Sequence, residues 1–352
     1  MKPRRLTRPV RIGSLTVGGN HPIAIQSMTN TDTRDRERTM EQIKELAATG
    51  CEIVRLAVPD AEAATQLGYY VQNATVPLVA DIHFDYRLAL TAIEAGISKL
   101  RINPGNIGGT DRVRLLAAKA RERGIPIRIG VNAGSLEPAL LDKYHGPTPE
   151  AMVESALGHI RLLEDEGFQD IVVSMKSSTV SDTVIAYQLL AEKVSYPLHI
   201  GITEAGTWFK GSVRSAAGLG ILLWEGLGDT LRVSLTGDPL REVVVAREIL
   251  QSLGLRKFGA TVVSCPTCGR CRINLEQLAE QVELLASGIQ KPLKIAVMGC
   301  AVNGPGEARE ADLGIAGGKG EALLFRKGEV LRKVPEAEII PALRAELEKL
   351  VD

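Results

Sequence analysis

The chain has 352 residues, 42 of them basic and 42 acidic, and 45% of them hydrophobic. That balance gives no case for nucleic acid or an anionic membrane as a partner, and no apolar run approaches the length that spans a bilayer. The length exceeds one ordinary core but fits one barrel joined to a small second domain.

The N-terminal stretch MKPRRLTRPVRIG is basic, with no apolar stretch and no cleavage site. A secretion signal is therefore not expected, and the expected compartment is the cytosol. Eight short apolar runs follow: PIAIQSMT (22–29), CEIVRLAV (51–58), PLVADIHF (77–84), KLRINPG (99–105), PIRIGVN (126–132), DIVVSMKS (170–177), LHIGIT (198–203) and TLRVSLT (230–236). Each is nearly continuous in aliphatic residues, as a strand covered on both faces should be. Helical patterns separate them, at 34–49, 60–72, 86–95, 110–123, 148–166, 180–193, 212–224 and 238–253. Asp60, Thr110, Thr148 and Asp238-Pro239 read as helix starts. Eight β–α units predict a (β/α)8 barrel of the TIM type over residues 1–255. An open doubly wound sheet is disfavoured because no GxGxxG follows the first strand.

Barrel active sites lie at the C-terminal ends of strands. The predicted strand ends carry Arg55, Asp81, His83, Arg101, Asn103, Arg128, Asn132, Lys176, Glu204, Arg232 and Ser234. Five cations (Arg55, Arg101, Arg128, Lys176 and Arg232) on one mouth point to a multiply charged anion, since arginine matches phosphate oxygens with its bidentate fork. The plain alternative for any one of them is an ion pair with Asp81 or Glu204, or a place in the lower layers of the barrel. Lys176 has a second reading as a Schiff-base amine, which would make the chain an aldolase-type barrel enzyme. Glu204, in GITEAG, is either a general acid or base or a structural partner for Lys176 or Arg232. His83 stands at a strand end beside Asp81, whereas His199 falls earlier in its run and deeper. The small-residue runs KGSVRSAAGLG (210–220) and PGNIGG (104–109) could offer amides to an anion or serve close packing alone. Cys51 reads as a small buried hydrophobe.

The pattern changes after the eighth helix. Residues 256–352 read as a strand ending at SCP, a helix over 272–288, a strand over 293–300, a strand over 311–318, a hairpin over 322–334, and a closing helix over 335–350 despite Pro341. Four of the five cysteines are here: Cys265, Cys268 and Cys271 at two-residue gaps, and Cys300. In a chain without a secretion signal such spacing reads as metal ligation rather than disulfides. Zinc would want a fourth nitrogen or sulfur donor from a second pair, and no histidine follows His199. Around Pro266, the residues Gly269, Gly299, Asn303, Gly304 and Gly306 offer backbone N–H groups to the sulfurs, which favours iron–sulfur. By spacing alone Cys271 is as natural a ligand as Cys265 and Cys268. Radical chemistry with S-adenosylmethionine is disfavoured, because its cysteine triplet has a different spacing and precedes the barrel.

The strings DIHF, LRINPGN, GVNAGSL, SMKSS, GITEAG, LRVSLTGDP, SCPTCGR and GCAVNGPGE together resemble the 4-hydroxy-3-methylbut-2-enyl diphosphate synthase family in its compact bacterial form. The resemblance runs from QSMT to the last helix. It implies a (β/α)8 barrel followed by a small α/β domain with a 4Fe-4S cluster, and reductive ring opening of 2-C-methyl-D-erythritol 2,4-cyclodiphosphate. It also implies flavodoxin or ferredoxin as electron donor, and a homodimer in which the cluster domain of one subunit caps the barrel of the other. By motif, Cys265, Cys268, Cys300 and Glu307 would hold the cluster, and Cys271 would stand aside. Arg55, Arg101, Arg128, Lys176 and Ser234 would bind diphosphate, with Asn103, Asn132 and Arg232 nearby. Asp81, His83 and Glu204 would surround the reacting carbons and hydroxyls, Glu204 delivering the proton.

Overall fold

A computed structural model describes residues 1–103, 105–177, 179–300 and 308–351. The chain divides into two compact units, Met1–Arg256 and Lys257–Asp352.

The first unit opens with a hairpin that the sequence did not announce, β1 (Val10–Ile12) against β2 (Leu15–Val17). Eight parallel strands follow: β3 (Ala24–Met28), β4 (Ile53–Ala57), β5 (Leu78–Asp81), β6 (Lys99–Ile102), β7 (Ile127–Asn132), β8 (Ile171–Lys176), β9 (His199–Ile200) and β10 (Thr230–Leu231). Their order is β8-β7-β6-β5-β4-β3-β10-β9. The ends of that order meet through a parallel bridge between Val173 and Leu198, which makes the sheet a nearly closed barrel. The last two strands are far shorter than their apolar runs. A Cβ at Gly201 would stand 2.7 Å from the Arg232 carbonyl oxygen, so the two backbones approach there and then leave the ladder.

The helices are α1 (Arg36–Thr49), α2 (Ala61–Asn73), α3 (Tyr86–Glu94), α4 (Thr110–Arg123), α5 (Pro138–Tyr144), α6 (Pro149–Glu164), α7 (Val180–Ala191), α8 (Trp208–Trp224) and α9 (Pro239–Ser252). Asp60, Thr148 and Asp238 cap their helices through side-chain oxygens, each satisfying a free amide of the first turn. Thr110 does not cap. Gly109 holds that position with φ 77° and no side-chain bond. The short helix α5 is an addition to the expected pattern. The run 210–220 lies inside α8 rather than at its start, and two of its three glycines, Gly211 and Gly218, serve close packing. A Cβ on Gly218 would meet Ile202 at 2.5 Å, and one on Gly211 would meet Leu235 at 2.5 Å.

The barrel floor is apolar. Val10, Ile12 and Val17 of the hairpin pack on Ala24, Ile53, Val79 and Val172. Two residues further along the same strands come Gln26, Arg55, Asp81 and Ser174, all buried. A strand repeats its facing every second residue, so the residues that follow the apolar floor form a polar tier above it.

The second unit is a five-stranded sheet in the order β11 (Thr261–Ser264), β12 (Lys294–Met298), β13 (Leu313–Gly317), β14 (Glu321–Arg326), β15 (Glu329–Pro335). The first three strands are parallel and the last two form an antiparallel hairpin. Helices α10 (Leu275–Ser287) and α11 (Ile339–Val351) cover it. Leu278, Val282, Ile295, Ile315, Leu324, Leu343 and Leu347 make its core. Pro341 is the third residue of α11, where its missing N–H breaks no helical bond.

Candidate functional site

Strand register builds the barrel mouth. Met28 lies opposite Arg55, Asp81 opposite Arg101, Arg101 opposite Arg128, and Asn132 opposite Lys176. Asp81 is 5% exposed and serves three neighbours. Arg101 Nη1 donates to its Oδ1 at 3.0 Å, Arg55 Nε lies 3.7 Å from its Oδ2, and His83 Nε2 lies 3.4 Å from the same oxygen. Burial would raise the Asp81 carboxyl, but Arg55, the hydrogen bond with His83 and Arg101 hold it far below the ordinary range. Arg55 also donates to the Met28 sulfur, from Nε at 3.0 Å and Nη2 at 2.8 Å. Burial, opposed by Asp81, brings the Arg55 guanidinium down to about 10, so it stays charged at neutral pH.

Arg232 is braced by a residue that sequence reasoning missed. Glu242, on α9, accepts its Nε and Nη2 at 3.1 Å each, and also accepts Ser27 Oγ at 2.8 Å and Leu235 N at 3.0 Å. The signal was present in the sequence. Glu242 falls four residues after the helix cap Asp238, on the apolar face that packs on the barrel.

Arg128 is 1% exposed, and its Nε and Nη1 have no partner. Arg101 Nε is likewise without one. Burial and the neighbours Arg55 and Arg101 disfavour charge on Arg128. A guanidinium does not surrender its proton in a protein, so the cost persists as a demand for an anion. Burial first, then Arg55 and Arg232, push the Lys176 amine well below its ordinary value. Beneath the mouth lies a second missed residue, Lys99, fully buried and donating to Gln26 Oε1 at 3.1 Å. The run KLRI shows it in retrospect, since Lys99 shares a strand face with Arg101. His199 is also fully buried. Its Nδ1 meets Thr230 Oγ1 at 2.8 Å, and burial with the surrounding cations keeps the ring neutral.

The remaining expected residues stand at or near the rim. Asn103, just past the end of β6, is buried and accepts Gly105 N at 3.1 Å, whereas Asn132 and Ser234 are half-buried. Glu204 is exposed and has φ 51°, a left-handed backbone that a glutamate adopts at a cost. Glu204 makes no ion pair with Lys176 or Arg232. Cys51 is buried, donates to Ile53 O at 3.1 Å, and has its thiol pushed up to about 12 by burial.

In the second unit Cys265 and Cys300 follow the adjacent parallel strands β11 and β12. Gly299 N donates to Cys265 Sγ at 3.2 Å. Cys268 is exposed, and the amide of Arg270 lowers its thiol. Cys271 is placed differently. Its thiol donates to Ile273 O at 3.3 Å, and it packs against the hydrophobic core of this unit. Among the described residues no group of three or more His, Cys, Asp or Glu stands close enough to hold a metal ion. Glu307, with Asn303, Gly304 and Gly306, lies outside the described residues.

Residues 7–247 match the GcpE TIM-barrel domain, and residues 261–349 match the GcpE protein C-terminal domain. The chain belongs to the GcpE family. Among curated GcpE relatives, the 4-hydroxy-3-methylbut-2-en-1-yl diphosphate synthase (flavodoxin) of Geobacter sulfurreducens is 62% identical over 345 residues, covering 98% of each chain. The enzyme of the same name from Maridesulfovibrio salexigens is 61% identical, covering 98% of this chain and 97% of its own. That from Caldanaerobacter subterraneus is 58% identical, covering 100% and 99%. Among solved structures, 3-dehydroquinate dehydratase from Geobacillus kaustophilus superposes with a TM-score of 0.51 at 13% identity, covering 71% of this chain and 98% of that one. At that identity the likeness of the GcpE barrel to the dehydratase is one of fold.

Proposed function

We propose that the chain performs the reaction its relatives are named for. It is the reductive ring opening of 2-C-methyl-D-erythritol 2,4-cyclodiphosphate to (E)-4-hydroxy-3-methylbut-2-enyl diphosphate, a step of the methylerythritol phosphate route to isoprenoids. The observation that carries it, beside family membership, is the mouth of buried guanidiniums with unpartnered N–H groups on Arg128 and Arg101. A diphosphate supplies the oxygens those groups lack.

In this reading Arg55, Arg101, Arg128 and Lys176 take the phosphate oxygens, with buried Asn103 nearby and Asn132 and Ser234 at the rim. Asp81, Met28 and Glu242 fix Arg55, Arg101 and Arg232 before substrate arrives, so little reorganisation accompanies binding. Asp81 is held ionised by its cations and orients them, so it is no proton donor. Glu204 is free of those ion pairs at the rim, and gives the proton to the hydroxyl that leaves as water. His83, half-exposed between Asp81 and Arg101, contacts the substrate beside it.

Cys265, Cys268, Cys300 and Glu307 would hold a 4Fe-4S cluster. What supports this is donor chemistry: two thiols at adjacent strand ends, an amide on Cys265 Sγ, and an exposed Cys268 with a lowered thiol. Such a cluster supplies electrons singly and, with a displaceable carboxylate ligand, a Lewis-acidic iron. A homodimer, and flavodoxin or ferredoxin as donor, belong to the same proposal. So does the cytosol, where the thiols stay reduced. No helix among the described residues is long and apolar enough to cross a membrane.

Anaerobically prepared protein should be brown, with iron and sulfide in the ratio of a 4Fe-4S cluster, and should oxidise a low-potential donor only when the cyclodiphosphate is added. Colourless protein with stoichiometric zinc and no such oxidation would overturn the reading. Substrate trapped on Lys176 by borohydride would favour aldolase-type chemistry instead.

A further inference from the structure

We propose that Lys99 is a positioning residue that takes up one proton as the diphosphate ring opens, so that the barrel lumen holds the extra negative charge of the product. This rests on the function proposed above and adds a residue and a proton to it.

Lys99 lies in the tier below the mouth, fully buried, with its amine on the neutral amide of Gln26 at 3.1 Å. No carboxylate among the described residues forms an ion pair with it, whereas Asp81 serves Arg55 and Arg101, and Glu242 serves Arg232. Arg128 has no carboxylate either, and its Nε and Nη1 are unpartnered. His199, across the lumen, is buried and neutral. Burial first, then Arg128 and Arg55, hold the Lys99 amine well below the ordinary lysine value, and no carboxylate among the described residues offsets them.

The chemistry supplies the change. A cyclic diphosphate carries two negative charges, one on each phosphate. Ring opening breaks a carbon–oxygen bond, and the electron pair stays on the phosphate oxygen. The reaction then balances as dianion plus two electrons plus one proton giving trianion plus water. The proton goes to the departing hydroxyl and the new charge goes to the terminal phosphate.

Inside the lumen four arginines and Lys176 face Asp81 and Glu242, while Glu204 is exposed at the rim, where water screens its charge. An ammonium held against phosphate is charged in both complexes, so Lys176 cannot supply the difference. With the cyclic dianion bound, a positive surplus of one charge remains and opposes a proton on Lys99. With the trianion bound that surplus is gone. Lys99 does not touch the anion in this reading, so it responds to the net charge of the lumen.

The test is calorimetric titration of the purified protein with the cyclodiphosphate and with the linear product diphosphate, each in two buffers of different ionisation heat at one pH. After correction for the ligands' own ionisation, the wild type should take up about one more proton with the product than with the substrate. Each pH unit of that linkage changes the ratio of product to substrate affinity by about tenfold. In Lys99→Met the difference should vanish. In Lys99→Arg, which is charged throughout, it should vanish as well, and this variant covers the case in which the apolar one misfolds. Equal proton uptake for both ligands in the wild type, or an undiminished difference in either variant, overturns the proposal for Lys99 while the function stands. Failure of both diphosphates to bind overturns the reading of the barrel itself.

Discussion

Replacing Asp81 by asparagine is the sharpest test of the barrel mouth. The substitution keeps the shape and one acceptor, so the 3.0 Å bond from Arg101 to Oδ1 can persist. It turns Oδ2 into a donor aimed at Arg55 and His83, which now approach that atom at 3.7 and 3.4 Å. It also removes the negative charge shared by two buried guanidiniums. Uncoupling one member of a buried charge network costs about 3–5 kcal/mol. For a unit of this size about 2–4 °C of melting temperature accompanies each kcal/mol, so Asp81→Asn should melt about 6–20 °C below wild type. The deficit should hold across neutral pH, because the carboxyl is ionised there. A depressed carboxyl contributes stability above its ordinary range, and loses it only as pH falls through the depressed value. Added pyrophosphate gives the sign of the effect. A site occupied at 100 times its dissociation constant stabilises by about 2.7 kcal/mol, and the variant, with one more uncompensated positive charge, should gain more than the wild type at equal concentration. The measurements are thermal unfolding by circular dichroism with and without pyrophosphate, and a calorimetric affinity. Melting within about 1 °C of wild type, with unchanged pyrophosphate affinity, would refute the claim that Asp81 fixes the arginines by charge.

Three further outcomes follow from close contacts and burial. Gly130→Ala should fold but lose about 100-fold in kcat/KM, because its Cβ would stand 2.7 Å from Arg101 Nε and displace that guanidinium by about 1 Å; steady-state kinetics and a melting curve separate the two effects. Cys271→Ala should keep full iron and sulfide content while Cys265→Ala, Cys300→Ala and Glu307→Ala lose it, and the opposite pattern in iron analysis would return Cys271 to the ligand set. Stability should fall as pH drops below about 6.5, because His199 stays neutral in the fold and becomes protonated only on unfolding. The slope from this group reaches about 1.4 kcal/mol per pH unit, and denaturant unfolding of His199→Gln should show it flattened.

Much of this was legible in the chain. Parallel strands covered on both faces leave continuous apolar runs, so eight β–α units and a separate α/β unit could be counted directly. Asp60, Thr148 and Asp238 marked three helix starts, since a first-turn amide needs a nearby oxygen. The hairpin β1–β2 was not legible, because two strands of three residues each in a basic segment carry too little periodicity. The lengths of β9 and β10 were not legible either, because the apolar run continues past Ile200 and Leu231 where the backbones separate. Strand ends marked out cations, but not which were already paired.

By itself, then, the sequence determined the barrel, the second unit, the set of charged residues at the strand ends, and the cysteines behind the iron–sulfur reading. Those are local properties, written in residue type and spacing. Tertiary structure decided which charges meet. Register set Asp81 beside Arg101 and Arg101 beside Arg128, and helix packing brought Glu242 from α9 to Arg232. Barrel closure buried Lys99 and His199 under the cations, and core packing turned the Cys271 thiol onto Ile273. Pairing energies depend on distance and solvent exclusion between residues far apart in the chain, and neither is fixed until the chain has folded.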